Sequence, residues 1–258
     1  MTFRHLVLLL SIWLCGSILT FAQLTESDSK AQDILAQAVA SSGAANVQGF
    51  SATGTMTYFW GGQEIQSNAT IKAKGGNQFR IDADVPGGTR SVAHTRRSGS
   101  RKDADGTLSE IPLHNRLNAS ILTFPYPTIA ATLADPEVKL SYVGLTEAGG
   151  RQLHQIRVNR TFPQESDPEG ILAELAYIDY FIDSETLLVV KASDLTHPKE
   201  TITESYTHDI EFEGYQVIGG IAVPTVVREK VGGQTTWEFR LSNINFNADM
   251  SDAEFSLR

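Results

Sequence analysis

Between residues 24 and 42 the apolar positions fall three and four apart. Ala31, Ile34, Leu35, Ala38 and Val39 share one side of a predicted helix, and Gly43 stands where it should end. From residue 50 the period drops to two. In FSATGTMTYFW, Met56, Tyr58 and Trp60 alternate with Thr55, Thr57 and Phe59, as in a strand with two unlike faces. Gly61-Gly62 and Gly75-Gly76-Asn77 punctuate the next alternating runs, EIQSNATIKAKG and QFRIDADV. Two further strands are predicted between 91 and 113, around the polar stretches RRSGSRK and DADG.

Residues 115–134 break this rhythm. Helical spacing returns at both ends of NRLNASILTFPYPTIAATLADP, but Pro125 and Pro127 forbid one continuous helix. The expectation is a short helix, a kink at Phe124-Pro125-Tyr126-Pro127, and a second helix ending before Pro136. From Val138 onward short strands recur, among them RQLHQIRVN, AYIDYFID, LLVVKASDL and TTWEFRLSNINF. YFIDSETLLVVK reads as a hairpin whose Asp-Ser-Glu-Thr is turn chemistry. Hairpin-linked strands of this kind predict a mainly β (α+β) fold, a single antiparallel sheet that curls to bury one face.

Composition changes the picture in three ways. The segment 1–22 has a basic start, an apolar stretch Leu6–Leu14 and small residues before position 23, so it reads as a signal peptide cleaved after Ala22. A retained anchor is the weaker reading, because a span needs about 20 apolar residues and Gly16, Ser17 and Thr20 interrupt this one. The single cysteine, Cys15, lies inside that segment, so residues 23–258, read as one domain, cannot use disulfides or thiol chemistry. A net charge of −9 argues against a nucleic-acid partner.

Catalytic and metal motifs are thin. His94, His114, His154, His197 and His208 have no metal-ligand spacing, so neither a metal site nor a cofactor is expected. A histidine such as His94, His154 or His208 meeting Asp82 or Asp179 in one cleft would reopen an enzyme reading. Ser27-Asp28-Ser29-Lys30 matches an acyl-enzyme motif without its companions. The basic run Arg96–Lys102 reads as a solvated loop, with docking of an anionic partner as the second reading. What remains are aromatic and apolar residues: Met56, Tyr58, Trp60, Phe79, Trp237 and Phe239 on strands, and Phe124 and Tyr126 by the prolines. With the helices across the mouth of a curled sheet, these eight are the candidate lining of an apolar binding cavity.

The order of elements resembles a known family. An amphipathic helix precedes SATGTMTYFWGGQ and ATIKAKGGNQFRID; a helical stretch, YFIDSETLLVVK and GGIAVPTVVREK follow, and INFNADMSDAEFSL closes the chain. This is similar to the LolA/LolB-like periplasmic lipoprotein carriers, with Tyr180, Ile182, Asp183, Leu188, Val190 and Lys191 on the family's hairpin pattern. The resemblance implies an unclosed half-barrel, with the N-terminal helix and the proline-broken segment covering its concave side, and a cavity for lipoprotein acyl chains. One turn differs: where the family's carriers have Lys-Arg-Pro-Asn, this chain has Lys74-Gly75-Gly76-Asn77, with Arg80 at a shifted position. The function expected is a monomeric periplasmic carrier or chaperone without catalysis, binding lipoprotein acyl chains or another hydrophobic ligand and meeting membrane proteins of the envelope. The alternative is an envelope interaction module whose concavity is filled by its own side chains.

Overall fold

A computed structural model describes residues 18–118 and 124–257, with side chains from residue 29 onward. Most of the predicted signal segment, including Cys15, and residues 119–123 of the central stretch lie outside the described residues. The helix predicted from residue 24 is α1, Ile18–Ser41. Its stripe Ala31, Ile34, Leu35, Ala38 and Val39 is buried throughout. The helix stops at Gly43, whose φ of +74° suits glycine. A Cβ there would lie 2.3 Å from the carbonyl oxygen of Gly220.

The strands that follow are β1 (Gly49–Trp60), β2 (Gln63–Lys74), β3 (Gln78–Val85), β4 (Gly88–His94), β5 (Gly99–Lys102) and β6 (Leu108–Glu110). After the central helices come β7 (Val138–Ala148), β8 (Arg151–Arg160), β9 (Tyr177–Asp183), β10 (Val189–Thr196) and β11 (Tyr206–Glu213). The last are β12 (Gln216–Ile218), β13 (Ile221–Val223), β14 (Val226–Val231) and β15 (Gln234–Phe246). Thirteen of them form one sheet in the order β6-β5-β4-β3-β2-β1-β15-β14-β11-β10-β9-β8-β7. Every pairing is antiparallel, and the two end strands do not meet. The sheet is therefore the open, mainly β structure expected. β12 and β13 form a separate small hairpin whose Ala222 N–H donates to the Ser42 carbonyl, satisfying an acceptor at the end of α1.

One apolar cluster joins the inner face of the sheet to the helices. It takes Phe50, Ala52 and Met56 from β1, Ile71 from β2, Phe79 and Ile81 from β3, Tyr180 from β9, Ile210 from β11 and Phe239 from β15. The α1 stripe packs into the same cluster, against β7 and the central helix α3.

The central stretch corrects two expectations. One turn of helix, α2, covers Leu113–Arg116, and α3 runs Pro125–Leu133. The kink expected at Phe124–Pro127 is instead the start of a helix: Pro125 opens α3 and Pro127 sits in its first turn. A helix has no internal acceptor for its first N–H groups, so proline loses nothing there. The opening turn is buried from Pro125 to Ile129 and fastened, with the Val189 N–H donating to Tyr126 Oη at 3.3 Å. The second correction concerns RRSGSRK: only Thr95–Ser98 forms a turn, and Gly99–Lys102 is strand β5, paired with both β4 and β6.

The turn that departs from the carriers acquires a reason here. Gly76 has a φ of +74°, and a Cβ on it would lie 2.6 Å from the Ala131 Cβ and 3.1 Å from the Pro127 carbonyl. The backbone thus tucks directly beneath α3, where a larger residue does not fit.

The hairpin YFIDSETLLVVK is β9, a tight turn and β10. Asp183 Oδ1 accepts the N–H groups of Glu185 and Thr186 at 3.0 and 2.9 Å. Burial raises the Asp183 pKa, but these amide bonds outweigh it and hold the carboxyl below its ordinary value. The stability it supplies is present above the ordinary carboxylate range and lost as pH falls through the lowered pKa. Asp183→Ala is expected to cost about 1–3 kcal/mol at neutral pH, read from the urea midpoint, with the difference from wild type vanishing in acid.

Candidate functional site

A concavity of about 620 Å³ lies between the two wings of the sheet. Its volume is within the roughly 300–1,000 Å³ of small-molecule sites. One wall comes from the end of β1 with β3 to β6 and α2, the other from β10, β11, β14 and β15. Register explains which side chains face it. Tyr58 stands opposite Trp237, Trp237 opposite Glu229, and Asp194 opposite His208, so all five project from the inner face.

Of the eight predicted lining residues, four meet here: Met56, Tyr58, Trp60 and Trp237. Met56 and Trp237 are buried, whereas Trp60 stands 76% exposed at the rim. Phe124 and Phe239 instead border a second, apolar crevice of only about 20 Å³ beside Phe50 and Ile71. Phe79 and Tyr126 border neither space. Phe79 is stacked on His94 at 5.5 Å, and Tyr126 is wholly buried in α3. Aromatics thus pack the space beneath the start of α3; a pocket of about 140 Å³ remains beside its later residues Thr128, Ala131 and Thr132, and a larger one lies at the mouth.

The mouth also holds a buried charged group that the local motifs do not reveal. His208 Nδ1 lies 2.6 Å from Asp194 Oδ1, and its Nε2 lies 3.2 Å from Glu229 Oε1. The Thr236 hydroxyl donates to the Glu229 carboxylate. Burial works to lower the His208 pKa, but the bonds and charges of Asp194 and Glu229 prevail and raise it to about 10. The two carboxyls move in opposite directions. Burial dominates at Asp194 and raises it; at Glu229 burial is overcome by His208, Thr236 and the positive field of Arg101. With both ring nitrogens donating to carboxylates, this imidazolium has no lone pair to act as a base.

The hydrogen bonds of Asp82 and Asp179, the acids weighed from sequence as partners for His94, His154 or His208, go to other residues. Asp82 accepts from Arg80 and Ser91, and Asp179 from Arg157 and Gln155. His94 contacts the Asn77 carbonyl, and His154 the Tyr142 hydroxyl. Among the described residues no three histidine, cysteine or acidic side chains gather as a metal site.

An open antiparallel sheet with helices over its inner face is an unclosed half-barrel, and solved structures share this fold. A LolA superfamily protein from Nitrosomonas europaea matches with a TM-score of 0.56 at 12% identity, over 88% of this chain and 97% of that one. A DUF1329 family protein from Desulfovibrio piger matches at 0.55 and 13%, over 89% and 97%. A domain from Vibrio parahaemolyticus assigned to outer membrane lipoprotein sorting matches at 0.54 and 10%, over 88% and 97%. The resemblance read from the sequence therefore holds at the level of fold. No protein-family model matches the chain, and no curated protein sequence matches it.

Proposed function

We propose that the protein is a carrier or chaperone of the cell envelope that shelters lipoprotein acyl chains, or another hydrophobic ligand, in the mouth of the half-barrel without catalysis. The observation that carries this reading is the roughly 620 Å³ cavity walled by Met56, Tyr58, Trp60 and Trp237. Each CH₂ transferred there from water contributes about 0.8 kcal/mol, so several buried carbons give useful affinity without a reactive group. The shared fold supports it, since one structural neighbour is assigned to lipoprotein sorting. Segment 1–22 is the export signal in this reading, and residues 23–258 are the working domain of a periplasmic monomer. Cleavage after Ala22 removes the start of α1 and spares the buried stripe from Ala31 to Val39.

Delipidated protein is expected to take up a fluorescent fatty acid or lipopeptide saturably. Val231 lines the mouth opposite His208, and Val231→Trp is expected to weaken uptake at least about tenfold by occupying the space, since a methylene-sized misfit already costs about 1–3 kcal/mol. Absence of saturable uptake by the wild type ends the carrier reading. The competing reading, an envelope interaction module, draws on the packed interior, where the apolar crevice measures only about 20 Å³.

A further inference from the structure

The mouth is not uniformly apolar, and its charges are unevenly matched. Among its acids, Glu110 faces Arg116 at 3.5 Å, while Asp194 and Glu229 share His208. Among its cations, Arg90 is 3.6 Å from Asp103, but the charged groups of Arg101 and Lys199 make no hydrogen bond or ion pair with any described residue. Arg101 acts electrostatically on Tyr58 and Glu229 across the space without bonding to either. In a chain with 30 acids and 21 bases, carboxylates are plentiful. Cations without a carboxylate stand elsewhere too, as at Lys102 and Arg160, but Arg101 and Lys199 are the two that line this cavity.

The register sets two arginines on adjacent strands. Arg101 pairs with Val92 across β5 and β4, and Arg90 lies two residues along β4 on the same face. They are diagonal neighbours on the inner wall, close enough to address one group together. Their forked N–H donors match the paired oxygens of a carboxylate or phosphate. The net charge of −9 does not override this, because charges more than about 10 Å away are largely screened at 0.1 M salt. A ligand anion in contact with Arg101 is governed by the local surplus.

Resting on the carrier reading above, we infer that the cavity selects amphiphiles with an anionic head group, a carboxylate or phosphate, held at Arg101 and Arg90 with the chain against Met56, Tyr58 and Trp237. A neutral head of the same chain length leaves the guanidinium groups to water and binds more weakly.

Isothermal titration of the delipidated protein with decanoate, decyl phosphate, decanol and inorganic phosphate tests this. Decanoate and decyl phosphate are expected to bind at least about tenfold more tightly than decanol, with the preference shrinking as salt is raised. Inorganic phosphate is expected not to bind measurably. Arg101→Gln, and more so R90Q/R101Q, should bring the anions down to the affinity of decanol, with circular dichroism reporting the fold. Arg240 pairs with Glu238 on the opposite face of the sheet, and Arg240→Gln should leave the preference intact although it changes net charge equally. Decanol binding as tightly as the anions overturns the inference and leaves the carrier reading standing. Failure of all three chains to bind removes both, and inorganic phosphate binding as well as decyl phosphate reduces the site to a bare anion site.

Discussion

His208→Leu is expected to destabilise the fold by about 3–5 kcal/mol, the usual consequence of removing one partner from a buried ionic group. Among the described residues the imidazolium is the one counter-charge bonded to both Asp194 and Glu229, and all three are buried or nearly so. Without it two carboxylates face each other in a poorly solvated wall, and one must take up a proton. Loss of stability is therefore greatest at neutral pH and smaller in acid, where the carboxyls are protonated in any case. The wild-type dependence follows from the pKa raised from 6.5 to about 10. The stabilisation from His208 is lost as pH rises from about 6.5 through about 10, and on the acid side it falls only as the two carboxyls take up protons. Urea midpoints at pH 5, 7 and 10 check this, and a variant within 1 kcal/mol of wild type at pH 7 would show that the charges do not depend on one another. Replacing all three with apolar residues of similar volume is expected to recover most of the loss, as such exchanges elsewhere are neutral or stabilising. If it does, the ionic group is there for the polarity of the mouth rather than for the fold.

The group also marks where sequence reading reaches its limit. Period-two alternation announced the sheet, and Gly43, Gly76 and the Asp183 turn announced its punctuation, because each is a local consequence of backbone geometry. Asp194, His208 and Glu229 sit on three strands, and only pairing of β10 with β11 and β11 with β14 brings them together. Their spacing along the chain carries no motif. A trace was present, however: each occupies an apolar-phase position, as in Ile210 and Phe212 after His208, or Val227 and Val231 around Glu229. The basic run misled for a related reason. Arg101 looks like one of several loop cations until its segment is found paired with β4 and β6, which makes it a strand and sets Arg101 on the wall of the mouth. The eight apolar candidates were half gathered because alternation specifies the face of a strand, not the position along it. Phe79 and Phe239 share a face with Trp237 but lie where the helices already fill the concavity.

That filled interior leads to the second large effect. Phe124→Ala is expected to cost about 3–5 kcal/mol, the range for deleting a buried phenyl ring, out of a total of about 5–15 kcal/mol for most proteins. Phe124 caps α3, lies 5.6 Å edge-on to Phe50 and 5.3 Å edge-on to Tyr126, and reaches Phe246 at 6.3 Å. It is thus the ring through which the helix is fastened to β1 and β15. For a chain of this length each kcal/mol moves the melting temperature by about 2–4 °C, so a fall on the order of 10 °C is expected in calorimetry. The vacated space would join the crevice lined by Phe50, Ile71, Val227 and Phe239. An apolar cavity of that kind stays dry and accepts a small apolar guest. Saturating benzene should therefore raise the melting temperature of the variant and leave the wild type nearly unmoved. An equal rise in both would mean that the wild type already opens beneath α3, and that a bound acyl chain continues from the mouth into the interior. A rise in the variant alone confines the ligand to the mouth, with Met56 and Trp237 as the floor it rests on.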